Sequence, residues 1–144
     1  MFVKQLSIFM ENKAGRMAEI SRVLADGGVN IRALSVADTT GYGILRLIVA
    51  DPFAAEKVCR DAGLTVALTD AIAISMDDRP GGFADIMETV AAAKISVEYM
   101  YAFLTKKDAD KACIIMCVSD GERAVKLLEE KGVKLLSGEE IYSL

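Results

Sequence analysis

The chain has 144 residues, 53% hydrophobic and 26% charged, with 11 glycines and two prolines. Disorder and collagen-like repeats are excluded, and the length fits one average domain or two small ones of about 70 residues. Seventeen Lys and Arg against 21 Asp and Glu give a net charge of −4, the wrong sign for tracking phosphates, so nucleic acid is not an expected partner.

The sequence contains no histidine, which removes Ser-His-Asp and Cys-His couples, H-E-x-x-H zinc sites and histidine bases. Cys59, Cys113 and Cys117 are odd in number and form no C-x-x-C pair; a reducing cytoplasm fits, and no metal or cofactor is expected. The opening residues run straight into an alternating pattern with no basic-then-apolar leader, and no charge-free run reaches 18 residues. Neither export nor membrane insertion is indicated.

In chain order, residues 2–10 alternate, with Leu6, Ile8 and Met10 on one face and Gln5 and Ser7 on the other, which predicts a half-buried strand. From Gly15, a stripe of Met17, Ile20, Val23 and Leu24 predicts a helix of about 12 residues, stopped by Gly27-Gly28. The runs 31–37 and 44–50 flank a turn at Thr39-Thr40-Gly41-Tyr42-Gly43 and predict a hairpin. Asp51-Pro52 supplies an acidic N-cap and a first-turn proline for a second helix, carrying Ala55, Val58, Cys59 and Ala62 as far as Gly63. A fourth strand begins at Leu64.

The same plan then repeats. Asn12-Lys13-Ala14-Gly15 aligns with Asp78-Arg79-Pro80-Gly81 at an offset of 66, and past a short insertion an offset of 69 pairs Asp51 with Asp120 and Gly63 with Gly132. The second copy is read as 71–76, 83–93, 97–104, 112–119, 122–130 and 133–136. Two βαββαβ units follow, ferredoxin-like and α+β, with antiparallel sheets covered by helices on one face; the domains are expected at 1–68 and 69–144. A unit of 70 residues has a marginal core and a bare sheet face. Packing or edge pairing between the two copies is therefore expected to add stability, as a pseudo-dimer within one chain; an outer edge or the bare face is left that can pair with another chain, and a homodimer is the expected state.

Chemistry concentrates in the loop Glu11-Asn12-Lys13-Ala14-Gly15-Arg16-Met17 and its echo Asp77-Asp78-Arg79-Pro80-Gly81-Gly82-Phe83. Glycine there admits a ligand to the backbone, and the first turn of the following helix offers unbonded N–H groups suited to a carboxylate. Asn12 and Asn30 add amide donors and acceptors for a zwitterion. Taken alone, the local residues favour two structural turns with helix starts, inherited by duplication, over a ligand site.

The strings L-S-I-F-M-E-N-K-A-G-R-M-A-E-I and L-A-D-G-G-V-N-I, with D-D-R-P-G-G-F-A-D-I in the second copy, resemble the ACT domain family over nearly the whole chain, as a tandem pair. The resemblance implies a regulatory module, not an enzyme, that binds a free amino acid where two ACT domains meet and acts on a regulated protein partner. It implies ligand positions at Asn12, Ala14, Gly15 and Met17, at Asn30 with Ile31, and at Asp78, Pro80, Gly81 and Phe83; Lys13, Arg16 and Gly82 lie within the same loops. Ala14 stands where proline is common, and Ser96-Val97 replaces the Asn-Ile step, so unequal sites are expected.

The remaining features read as structural. Cys113 and Cys117 fall on one strand face as small hydrophobes, and Tyr99, Tyr101 and Phe103 share a face suited to packing. Lys106, Lys107 and Lys111 with Asp108 and Asp110 read as a solvated hairpin turn, and Glu139-Glu140 as an exposed loop. Two other functions compete. An acyl phosphate hydrolase on the same plan needs a committed arginine and asparagine, for which Arg16 and Asn30 are poor candidates. An RNA-binding sheet lacks an aromatic platform in Ile44-Leu45-Arg46-Leu47-Ile48.

Overall fold

The computed structural model describes residues 1–39, 41–105 and 110–144, and the chain divides into two compact units. The first comprises Lys4–Thr69 with Ser143; the second comprises Asp70–Tyr142 with Met1–Val3 and Leu144. Both are ferredoxin-like α+β units. In chain order the elements are β1 (Val3–Glu11), α1 (Arg16–Asp26), β2 (Ile31–Thr39), β3 (Tyr42–Val49), α2 (Pro52–Asp61) and β4 (Thr65–Asp77). They continue as α3 (Gly82–Ala92), β5 (Val97–Leu104), β6 (Lys111–Val118), α4 (Gly121–Glu130), β7 (Lys134–Leu135) and α5 (Gly138–Tyr142).

In the first unit the strands run β2-β3-β1-β4. Antiparallel register sets Leu6 opposite Leu47 and Ile8 opposite Leu45, so these side chains share the face beneath the helices. There they join Ile20 and Leu24 of α1 and Ala55 and Cys59 of α2 in one core. The other face of β1 departs from expectation. Gln5 and Ser7 are 0% and 5% exposed while Phe9 on the same face is 45% exposed, so β1 is buried on both faces along its first part rather than half-buried throughout. Hydrogen bonding makes this tolerable, because Gln5 Nε2 donates to Thr69 Oγ1 at 3.0 Å and Thr69 Oγ1 lies 3.5 Å from Ser7 Oγ.

In the second unit the strands run β5-β6-β4-β7. Ile72, Ile74, Ile114 and Met116 meet Ile86 and Val90 of α3 and Leu128 of α4. The duplication is visible at single hydrogen bonds. The Asp51 carboxylate caps α2 by accepting from Ala54 N at 3.0 Å, and the Asp120 carboxylate caps α4 by accepting from Arg123 N at 3.2 Å. Gly63 and Gly132 then leave those helices at φ 77° and 76°. At the end of α1 it is Gly28 that turns left-handed (φ 70°), not Gly27, and its counterpart after α3 is Lys94 at φ 56°.

Several local expectations change. Glu139 and Glu140 belong to α5 rather than to a loop. Ser137 N donates to the Glu140 carboxylate at 2.8 Å while Glu140 N donates to Ser137 Oγ at 3.1 Å, a reciprocal cap that starts the helix. Thr40, Lys106, Lys107 and Asp108 lie outside the described residues. Lys111 stands in β6 and pairs with Asp77 instead of sitting in a turn. Cys59 and Cys113 are buried, and that burial pushes both thiols up from their ordinary value; at Cys113 the Lys134 charge works against the rise and Glu140 adds to it. Tyr99, Tyr101 and Phe103 stand opposite Cys117, Ile115 and Cys113 and are half-buried. Among the described residues no helix is long and apolar enough to cross a membrane.

Candidate ligand-binding loops

The loop from β1 to α1 is shaped by its own backbone. Lys13 N donates to Glu11 O at 3.0 Å, Arg16 N to Lys13 O at 3.2 Å and Glu19 N to Gly15 O at 3.0 Å. Gly15 holds φ 85°, a left-handed conformation that side-chain-bearing residues adopt at a cost, and it occupies the N-cap of α1 without giving that helix a side-chain cap. With Arg16 and Glu19 bonded, the N–H groups of Met17 and Ala18 lie in the uncapped first turn, where the helix carries positive partial charge. A Cβ placed on Gly15 would meet nothing within 4 Å, so the space before α1 is open. Asn12 closes the loop by donating its N–H to Gly41 O at 3.3 Å, which ties it to the β2–β3 turn.

The loop from β4 to α3 repeats this geometry. Arg79 N donates to Asp77 O, Gly82 N to Arg79 O and Asp85 N to Gly81 O, at 3.0, 3.1 and 3.0 Å, and Asp78 N donates to Asp110 O at 2.9 Å. Gly81 matches Gly15 with φ 91°. The side chains differ. Arg79 bonds the Asp85 carboxylate at 2.7 Å and Pro80 O at 3.1 Å, and its Nη1 lies 3.3 Å from where a Cβ on Gly81 would be. Asp77 is bonded by Lys111, and this bond, then the Lys111 charge and the weaker influence of Arg79, hold its carboxyl below the usual carboxylate range. Gly82 is buried, and a Cβ on it would stand 2.4 Å from Asp77 O, so packing alone accounts for that glycine. Its first-copy counterpart is Arg16, whose guanidinium pairs with Glu19 at 2.9 Å.

The sequence-predicted residues therefore fall into separate groups. Asn12, Lys13, Ala14, Gly15 and Met17 are exposed around one open helix start, with Arg16 half-buried beside them. Asp78, Pro80, Gly81 and Phe83 surround the second, where Arg79 occupies the approach. Asn30 and Ile31 lie at the far end of α1, about 16 Å of helix away from Gly15; within this unit they do not join the first loop. Sequence reasoning missed the chain Lys111–Asp77–Arg79–Asp85, although the charges of Asp77-Asp78-Arg79 stood in the echoed motif.

The family model described as an ACT domain pair matches residues 1–144. The chain belongs to the ACT domain family, as a pair. Protein BT0572 from Bacteroides thetaiotaomicron is 38% identical, with 100% of this chain and 98% of that one covered and a TM-score of 0.92. The ligand-free regulatory subunit of aspartate kinase from Thermus thermophilus is 15% identical over 88% of this chain and 90% of its own, at TM-score 0.60. The corresponding subunit from Thermus flavus is 15% identical, with the same shares covered and a TM-score of 0.56. These last two share the fold. No curated protein matches the chain. An ACT pair is a regulatory module, and its two loops here combine a common backbone with different side chains.

Proposed function

We propose that this ACT pair senses a free amino acid and is not itself an enzyme. The observation that carries the reading is the open, uncapped start of α1 at Gly15. A ligand carboxylate accepts from Met17 and Ala18 N–H there, where helix charge favours an anion, and the Asn12 amide serves the remaining polar atoms. Asn30 and Ile31 contribute only from a second ACT domain, because α1 separates them from this loop. The aspartate kinase regulatory subunits of the same fold support a partner that the ligand state controls. A ligand exerts such control only by binding two arrangements of the module with different affinity. The free cysteines suit a reducing cytoplasm. Arg16 and Asn30, the pair an acyl phosphate hydrolase would require, stand at opposite ends of one helix, and Arg16 is engaged by Glu19.

Thermal unfolding of the purified chain against each of the twenty amino acids tests this. One or a few raise the midpoint, since a ligand at 100 times its dissociation constant stabilises the native state by about 2.7 kcal/mol. Gly15→Val removes the shift. A flat response to all twenty overturns the amino-acid reading, and a shift retained in Gly15→Val moves the ligand to another place.

A further inference from the structure

We propose that the cleft between the β4–α3 loop and the turn from α4 to β7 binds a small organic monocarboxylate with an apolar body and no amino group. This goes beyond the sensing reading and does not depend on it. The cleft measures about 410 Å³ and lies wholly within the second unit, a size typical of small-molecule sites. It is separate from the family's ligand positions, since Asp78, Pro80, Gly81 and Phe83 do not line it. Its floor is apolar: Ile86 is buried, and Met76 and Val133 pack half-buried against the core of the unit. Its rim is cationic. Arg79, Lys111 and Lys134 stand there against the carboxylates of Asp77 and Asp85. Lys111 is committed to Asp77 and Arg79 to Asp85, which leaves Lys134 as the surplus charge. Its partner Glu140 stands off at 3.9 Å and does not line the cleft.

The main chain supplies a directed donor beside that charge. Leu136 N donates to Ala73 O at 2.8 Å, so every second residue of β4 from Ala73 turns its N–H and C=O toward β7. Ser75 meets Lys134, where β7 begins, and Asp77 is the next residue of that orientation. The Asp77 N–H therefore emerges past the end of β7, on the edge that faces the cleft, while Asp77 O is taken by Arg79 N. A carboxylate between this N–H and the Lys134 ammonium accepts from both. An ammonium on the same ligand would meet the cationic rim, and a dianion would exceed the single surplus charge beside Asp77 and Asp85. The first copy lacks these cations. Tyr42 stands opposite Glu11 where Lys111 stands opposite Asp77, and Thr65 holds the place of Lys134 at the same offset. Arg16 holds the place of Gly82, which lines the cleft.

Amide and methyl NMR of the isotopically labelled chain, titrated with isocaproate, tests the site. Isocaproate is leucine without its amino group, so leucine serves as the matched control. Saturable shifts are expected at the Asp77 amide and at the Ile86 and Val133 methyls, with leucine at least about tenfold weaker at the same resonances and isohexylamine silent. Lys134→Gln raises the dissociation constant about tenfold. Its side chain is 68% exposed, so the variant keeps its circular dichroism. Lys126→Gln, on α4 and outside the cleft, leaves the constant unchanged. No saturable shift at Asp77, Ile86 and Val133 overturns the proposal. So does a response to isohexylamine or leucine equal to that of isocaproate, or a constant indifferent to Lys134→Gln. Acetate or inorganic phosphate binding as tightly as isocaproate means an adventitious ion only, and equally overturns it. Shifts at the Met17 and Ala18 amides instead place the carboxylate at the start of α1, which overturns this proposal and leaves the amino-acid reading standing.

Discussion

Replacing Gly15 and Gly82 by alanine, one at a time, separates the open loop from the closed one. At Gly15 the added methyl meets nothing within 4 Å, so the cost is conformational only: holding an L-residue at φ 85° costs about 1–2 kcal/mol. At Gly82 the backbone carries no such strain, but the methyl would lie 2.4 Å from Asp77 O, nearly 1 Å inside the ~3.3 Å at which carbon and a carbonyl oxygen ordinarily meet. The obstacle is main chain, pinned by Arg79 N on the same oxygen at 3.0 Å and by the strand pairing of Asp77. It cannot swing away as a side-chain tip does, so the upper part of the overpacking range, about 3 kcal/mol, applies. Unfolding entropy for 144 residues converts 1 kcal/mol into a shift of about 3 °C in Tm. Gly15→Ala is therefore expected to lower the midpoint by about 3–6 °C and Gly82→Ala by about 9 °C, read by circular dichroism in the absence of ligand. Equal losses, or a larger loss at Gly15, would refute the claim that the space before α1 is free.

Two further substitutions test the helix ends. Lys94 holds φ 56° where the first copy uses Gly28; Lys94→Gly relieves that strain and is expected to raise Tm by about 3 °C, a gain of about 1 kcal/mol. A Cβ on Gly27 would come within 2.4 Å of Val58 Cγ1 and 2.8 Å of its Cγ2, and β-branched Val58 has little rotamer freedom to retreat. Gly27→Ala is expected to destabilise by about 1–3 kcal/mol in denaturant unfolding, and most of that loss disappears in a Val58→Ala background.

The elements most legible in the sequence are those with local causes. Asp51-Pro52 announces α2 by a side chain that caps its own backbone, and Gly63 ends the helix because the chain must turn left-handed there. Both signals act within a few residues, and both stand where the pattern puts them. The same local logic holds for α5, since Ser137 and Glu140 carry the spacing of a reciprocal cap. A five-residue helix has too few apolar positions to show a period, so the glutamates read as loop. Gln5 and Ser7 are illegible for a different reason. Their burial depends on Thr69, more than 60 residues away, and alternation cannot tell a solvated polar face from a buried, hydrogen-bonded one.

The candidate loops extend the same distinction. Glycine at the fifteenth and eighty-first positions is visible because backbone conformation demands it, and four equivalent hydrogen bonds repeat across the duplication with distances that differ by at most 0.4 Å. What the side chains do above that common backbone is hidden, because ion pairs join residues from several elements: Lys111 comes to Asp77 from another strand, and Asp85 to Arg79 from the next helix. The backbone of a duplicated loop is held by its own hydrogen bonds and resists change, whereas exposed ion pairs contribute little to stability and are free to diverge. Divergence at Asn12 to Asp78, Arg16 to Gly82 and Asn30 to Ser96 is therefore compatible with an unchanged fold. It is also the change required if one copy retains a ligand site and the other serves as its scaffold: each substitution alters charge or amide chemistry at a helix end, and none disturbs the hydrogen bonds that build the loop.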